Sequence, residues 1–403
     1  MHGAAQLTGT VKHYDWGGAT FIPSLLDIPN NEDKPFAEYW LGVHPQADCR
    51  VIAGNDDKGL LRELIRREGP ALLGDYVSAR FGNIPFLLKA LDVKNMLSIQ
   101  VHPSKAEAEK DFARENGAGI PLDSPSRNYK DDNHKPELML AMGDFWLLHG
   151  FKPEDELRQT LGSIPELKTL LPVFEKGGYQ QLYSTVMEMP QDEVNRQLQP
   201  LLDRIIPAYQ QGRLDRSTPD YWAAKGALTF SQPGSTDRGI FSVYLFNLVH
   251  LKRGEAIFQD AGVPHAYLEG RNIEIMSSSD NVLRGGLTTK HIDVKELLKH
   301  VKCEATRPDI LKGAARGKEI VYKTPAPDFE LSSFSLNKGE SASFTPSTTD
   351  ILLLAEGEVR VGEAVQLKKG SPSAVVFPAD TITIIASKNS LLFRATVPGG
   401  DGE

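Results

Sequence analysis

The stretch RGEAIFQDAGVPHAYLEG, residues 253–270, sets Gly254, Asp260, Gly262 and His265 apart by five, one and two intervening residues. Glycine takes up positive φ without a Cβ penalty, so the pair allows a tight turn that presents His265 from a strand edge into an enclosed interior. Beyond the turn, a strand's period of two places His265, Tyr267 and Glu269 on one face. A β framework holding one inward histidine is the starting expectation.

Two other stretches supply partners. In MLSIQVHPS, residues 96–104, strand alternation puts Met96, Ser98, Gln100 and His102 on one face and Leu97, Ile99 and Val101 on the other. Gln100 and His102 then project together into one space. In NHKPEL, residues 133–138, Pro136 imposes extended backbone on its neighbour, so Lys135 and Glu137 point to one side before an apolar run that ends at Met142. Alone, His102 reads as an ordinary hydrogen-bonded strand histidine, and Lys135 with Glu137 as a surface charge pair.

The 403 residues, 40% hydrophobic and 24% charged, have ordinary globular composition and length for about two or three domains. A net charge of −8, with no run of five like charges, argues against a nucleic-acid or polybasic membrane partner, and an anionic substrate would need a local basic pocket. No apolar stretch is long enough for a membrane helix. Cys49 and Cys303 stand outside any CxxC pair and, with no signal-like N-terminal segment, imply a reducing cytoplasmic setting. Histidine and cysteine are both absent after Cys303, so a transition-metal site belongs to the earlier part of the chain.

Periodicity divides the chain further. The first 150 residues read as strands and turns with one clear helix near 58–73 and a buried strand at 85–90; Met96–His102 reads as another strand. Leucine spacing makes 151–225 a helical module, with a kink or break expected at Pro200. Strand character returns at Gly239, a short helix follows at 293–300, and the remainder is strand and turn. Leu251-Lys-Arg-Gly254 is echoed by Leu367-Lys-Lys-Gly370, as two β units of one type would produce. The expected fold is mainly β with an α-helical insertion. Residues 1–150 and 226–304 form a discontinuous metal-binding unit, 151–225 a helical domain and 305–403 a metal-free C-terminal β unit.

The spacing in 253–270 is that of the second cupin motif, G-x5-[PD]-x-G-x2-H. The first motif, H-x-H-x3,4-E, is altered to Gln100-x-His102 with its glutamate displaced to Glu137. IQVHPSKAEAE, NHKPEL, GVPHAYLEG and SSDNVLRGGLTTK resemble the signature segments of type I phosphomannose isomerases, as do HYDWGG and AEYWLGVHP near the start. The resemblance runs from about residue 13 to residue 290 and implies two cupin-like jelly-roll sandwiches.

That resemblance also implies a site. Gln100, His102, Glu137 and His265 would bind one Zn²⁺ per chain, a donor set suited to four or five coordination. Glu137 alone offsets the metal charge, leaving a cationic site for an anionic oxygen. The substrate implied is a phosphorylated hexose, carried between mannose 6-phosphate and fructose 6-phosphate through an enediol(ate). Arg284 matches the catalytic arginine, or forms an ion pair with Asp280. Lys290 is expected to bind phosphate, Lys135 to act near the sugar hydroxyls or in proton transfer, and Tyr267 to bound the sugar or to pack. Trp16, Glu38, Lys89 and Ser104 lie in matching segments. Lys135, Asp280 and a zinc-bound water all remain open as the base. A monomer is expected, with a homodimer as alternative. Another metal-dependent cupin enzyme, such as an iron dioxygenase, and a non-catalytic sugar-binding cupin are the competing readings; Gln100 in a ligand position argues against the first.

Overall fold

The computed structural model describes residues 3–54 and 56–399. Three β-sheets and a cluster of helices stack as layers. Sheet one has Phe246–Leu251, Phe145–Phe151, His265–Ser277, Phe86–Val93, Glu38–His44 and Thr10–Lys12 in order, with Glu137–Ala141 and Gln100–Val101 also paired to His265–Ser277. The chain curls this sheet around an apolar interior of Leu91, Met139, Phe145, Leu147, Ile257 and Tyr267. Its opposite faces differ. Leu148, Ala266 and Leu268 point into the helical core, while Leu88, Leu138 and Ile275 point into a core shared with the C-terminal strands.

Strand His265–Ser277 makes the corner. Up to Glu269 it pairs with Phe145–Phe151, and from Gly270 on it pairs with Phe86–Val93 and Glu137–Ala141. Gly270 sits at φ 142°, where a Cβ would lie 2.5 Å from Phe145 Cδ2, so only glycine lets the strand change partners this closely. A register shift just before the corner turns Glu269 out of the face shared by His265 and Tyr267. Glu269 instead meets Arg216 and, at 2.6 Å, Lys225 of the helical layer, so the expected three-residue face holds for two.

The helical core is built as leucine spacing anticipates, with Leu157, Leu161, Val194, Leu198, Leu201 and Ile205 buried. Helix Gln191–Gln210 nevertheless runs through Pro200 and Pro207 without a break. Gly239–Leu245, expected as strand, is a helix with every residue buried. Its β-branched and aromatic side chains are hydrophobic on all sides, so burial overrides strand propensity and the helical layer continues past 225. Phe21–Leu26, Asp75–Arg80 and Lys105–Gly117 are further helices in a region read as having one. The last begins with a capping box in which Ser104 accepts from Glu107 N and Glu107 Oε2 accepts from Ser104 N, a Ser-x-x-Glu signal visible in the sequence.

The C-terminal strands form a nine-stranded sheet facing a four-stranded one across Leu352, Leu367, Val376, Ile384 and Leu392. The nine-stranded sheet also takes in Ala4–Thr8, Arg50–Ala53 and Asp56–Leu60 from the start of the chain. Gly254 and Gly370, the ends of the echoed tetrapeptides, both turn with positive φ (84° and 87°) after a strand.

Candidate metal centre and cleft

Three strands, Gln100–Val101, Glu137–Ala141 and His265–Ser277, bring the candidate ligands together. Gln100 lies opposite His265 on one side and Arg284 on the other, and Gln259 lies opposite Glu137. Only Gln100–Val101 of the expected 96–102 strand pairs as a strand. Before it the chain crosses between layers, so Met96 is buried with Ile99 and Val101 while Leu97 turns to the polar side. Gln100 faces the polar pocket, and alternation does not extend back to Met96.

His102 Nε2 is 3.3 Å from Glu137 Oε1, and His265 Nε2 is 3.4 Å from Glu137 Oε2. Neither contact has hydrogen-bond geometry, and both Nε2 atoms are buried without a partner among the described residues. The other ring nitrogens are occupied. His102 Nδ1 is 2.8 Å from Asn281 O and His265 Nδ1 is 2.9 Å from Val263 O, which assigns the proton to Nδ1 and leaves Nε2 as a lone pair. Burial pushes the His102 imidazole down to about 4, with Lys135 adding to the effect. Burial raises Glu137, but the Lys135 ammonium beside it opposes this, and the carboxyl is held well below its usual range. Two neutral imidazole lone pairs and one carboxylate converge within 4.8 Å, and unsatisfied buried nitrogens of this kind fit a zinc ion. Gln100 lines one pocket with Glu137 and His265.

A cleft of about 650 Å³ opens beside them, bordered by Trp16, Gln100, Lys135, Asp280, Arg284 and Lys290. Arg284 does not pair with Asp280. Asp280 Oδ1 instead lies 3.4 Å from His44 Nε2 and its Oδ2 accepts from Gln46 at 3.2 Å. Burial raises the Asp280 carboxyl, and the His44 contact outweighs this, leaving it lowered. Neither the Arg284 guanidinium nor the Lys290 ammonium has a hydrogen-bond or ion-pair partner among the described residues. Burial lowers the pKa of Arg284; burial and then Arg284 itself lower that of Lys290. Two unpaired cations at one wall make an anion site.

Lys135 is buried, not superficial, with Nζ 3.2 Å from Glu137 Oε1. Tyr267 both packs, edge-on to Phe145, and lines the pocket, where its hydroxyl donates to Glu274 Oε2 at 2.7 Å. Glu274 is a pocket residue that the sequence reading omitted. Its Oε1 accepts from Lys89 Nζ at 2.9 Å, with Glu38 Oε2 3.9 Å from the same ammonium. Both Lys89 and Glu274 sit as lone charges inside apolar strand runs, LLKAL and NIEIM, and that pattern is the signal that could have found Glu274.

The family model for the catalytic domain of type I phosphomannose isomerase matches residues 5–154. The mannose-6-phosphate isomerase of Escherichia coli (strain K12) is 35% identical over 388 residues, covering 94% of this chain and 96% of its own. That of Rattus norvegicus is 32% identical over 429 residues, covering 96% and 97%. A crystal structure of mannose 6-phosphate isomerase from Salmonella typhimurium, bound to substrate (fructose 6-phosphate) and zinc, superposes with a TM-score of 0.85 at 33% identity, covering 98% of this chain and 99% of that one.

Proposed function

This chain belongs to the type I phosphomannose isomerase family, and from that premise we infer that it is a zinc-dependent aldose–ketose isomerase interconverting mannose 6-phosphate and fructose 6-phosphate. The observation that carries the site assignment is the pair of orphaned Nε2 atoms on His102 and His265 facing Glu137 at the foot of a cationic cleft. We assign Gln100, His102, Glu137 and His265 as the residues that would hold the zinc, which when bound polarises substrate oxygens as a Lewis acid.

The reaction moves a proton between C2 and C1, so it needs a proton acceptor, positive charge at the developing oxyanion and an anchor for the phosphate. The unpaired guanidinium of Arg284 supplies the charge. Lys290 supplies the phosphate anchor. Lys135, whose ammonium is held by Glu137, donates a hydrogen bond to a sugar hydroxyl or gives a proton to the enediolate oxygen. Asp280, kept ionised by His44, is available to accept the proton from carbon. Tyr267, fixed by Glu274, bounds the sugar. The metal-binding unit in this reading is discontinuous, because Glu137 and His265 flank helices from Glu154 to Leu245. Both cysteines are free, which supports a reducing, cytoplasmic setting.

Coupled detection of fructose 6-phosphate formed from mannose 6-phosphate tests the reading. Turnover by wild type and its loss in His265→Ala support it; full turnover in His265→Ala overturns the site assignment.

A further inference from the structure

The segment that carries Lys135 and Glu137 is clamped from two directions. From the loop that carries Asp280, Ser279 Oγ and Asn281 Nδ2 donate to Asn133 O at 3.2 and 2.9 Å, and Ser278 O accepts from Asn133 Nδ2 at 3.2 Å. From the opposite direction comes Asp328, in the C-terminal β unit, whose Oδ2 lies 2.9 Å from His134 Nε2. The Asp328 side chain is 4% exposed, and this imidazole is its only side-chain partner among the described residues. Its neighbours Ala326 and Phe329 are buried in the core that also holds Leu138 and Leu140, so the carboxylate is fixed relative to the strand that begins at Glu137.

A buried carboxylate is costly, and an apolar pair at such a place is commonly as stable or more so. What the pair does here is geometric. Lys135 lines the cleft and His134 does not. With extended backbone enforced before Pro136, adjacent side chains face opposite ways, so anchoring the imidazole on one side sets the direction of the ammonium on the other. We propose that Asp328 is a positioning residue of the isomerase: acting through His134 from the metal-free C-terminal unit, it orients Lys135 in the cleft. The inference rests on the isomerase reading above.

The test compares zinc-loaded wild type, Asp328→Ala, Asp328→Asn, His134→Ala and the Asp328→Ala/His134→Ala double variant, with kcat, KM for mannose 6-phosphate, zinc content and Tm measured for each. Since a misplacement near 1 Å costs about 100-fold in rate, Asp328→Ala is expected to lose about 10- to 100-fold in kcat with KM changed less than about threefold and zinc retained. Asp328→Asn keeps an acceptor oxygen and is expected to return kcat to within about threefold of wild type, and the double variant is expected to be no slower than His134→Ala alone. A wild-type kcat per zinc-loaded Asp328→Ala molecule, even with a lowered Tm, overturns the proposal, as do losses that multiply in the double variant. If Asp328→Ala does not fold, Asp328→Asn and His134→Ala decide: near-wild-type kcat in the first with a 10- to 100-fold loss in the second supports the proposal, and equal kcat in both overturns it. A wild-type chain inactive on mannose 6-phosphate would instead overturn the parent reading, and this one with it.

Discussion

Lys89→Met perturbs the floor of the cleft without changing its shape much. Lys89 is 6% exposed, and its ammonium lies 2.9 Å from Glu274 and 3.9 Å from Glu38. Burial lowers its pKa, but the Glu274 and Glu38 carboxylates outweigh that and hold it above its ordinary value. Methionine fills the space and leaves two buried carboxylates without their cation. Removing one partner of a buried ion pair costs about 3–5 kcal/mol. At about 2.1 cal/mol/K per residue, unfolding this chain as one unit carries an entropy of roughly 0.85 kcal/mol/K, so Tm is expected to fall by about 4–6 °C at pH 7. The deficit has a pH sign. Burial raises the folded pKa of Glu38, and Lys89 is the charge that opposes the rise. Without it the pKa climbs further. A raised carboxyl pKa costs stability above that pKa, and the cost fades as pH falls toward the unfolded value. Calorimetry of the zinc-loaded variant should therefore show a smaller deficit at pH 5 than at pH 7. A Tm within 1 °C of wild type at pH 7, or a deficit as large at pH 5, would refute the reasoning.

Lys290→Ala should raise KM for mannose 6-phosphate about 10- to 150-fold, the worth of a charged hydrogen bond, with kcat little changed; steady-state kinetics checks this. Arg284→Ala should lower kcat by about 10²- to 10³-fold with zinc content unchanged, as loss of an oxyanion donor does. Gly286 has φ 121°, and a Cβ there would come 2.4 Å from Gly239 Cα. Gly286→Ala should therefore lose at least about 1–3 kcal/mol in urea unfolding and also lose activity, because the loop that carries Arg284 must move.

The candidate ligand set is legible chiefly through segments that resemble the family's signatures, and local signals give the backbone that carries it. The Gly254–His265 spacing encodes a turn and a strand, and Pro136 encodes the extended backbone that puts Lys135 and Glu137 together. Leucine spacing likewise exposed the helical core. What escaped was decided by tertiary context. Gly239–Leu245 has strand-like composition but is surrounded on every side, so packing chose a helix. Pro200 sits where helix Gln191–Gln210 could tolerate it without a break. Arg284 was balanced between a partner in Asp280 and a free role, and only the placement of His44 and Gln46 beside Asp280 resolves that balance. The Asp328–His134 contact joins residues 194 apart in sequence, and no local pattern announces it.

The central claim is that one cation, held by Gln100, His102, Glu137 and His265, is what makes this cleft an isomerase. Elemental analysis of the purified chain, paired with mannose 6-phosphate turnover before chelation, after it and after zinc is restored, tests that claim most directly. The account predicts one zinc per chain, activity lost in proportion to zinc removed, and activity recovered on its return. Undiminished turnover by metal-free protein would contradict it.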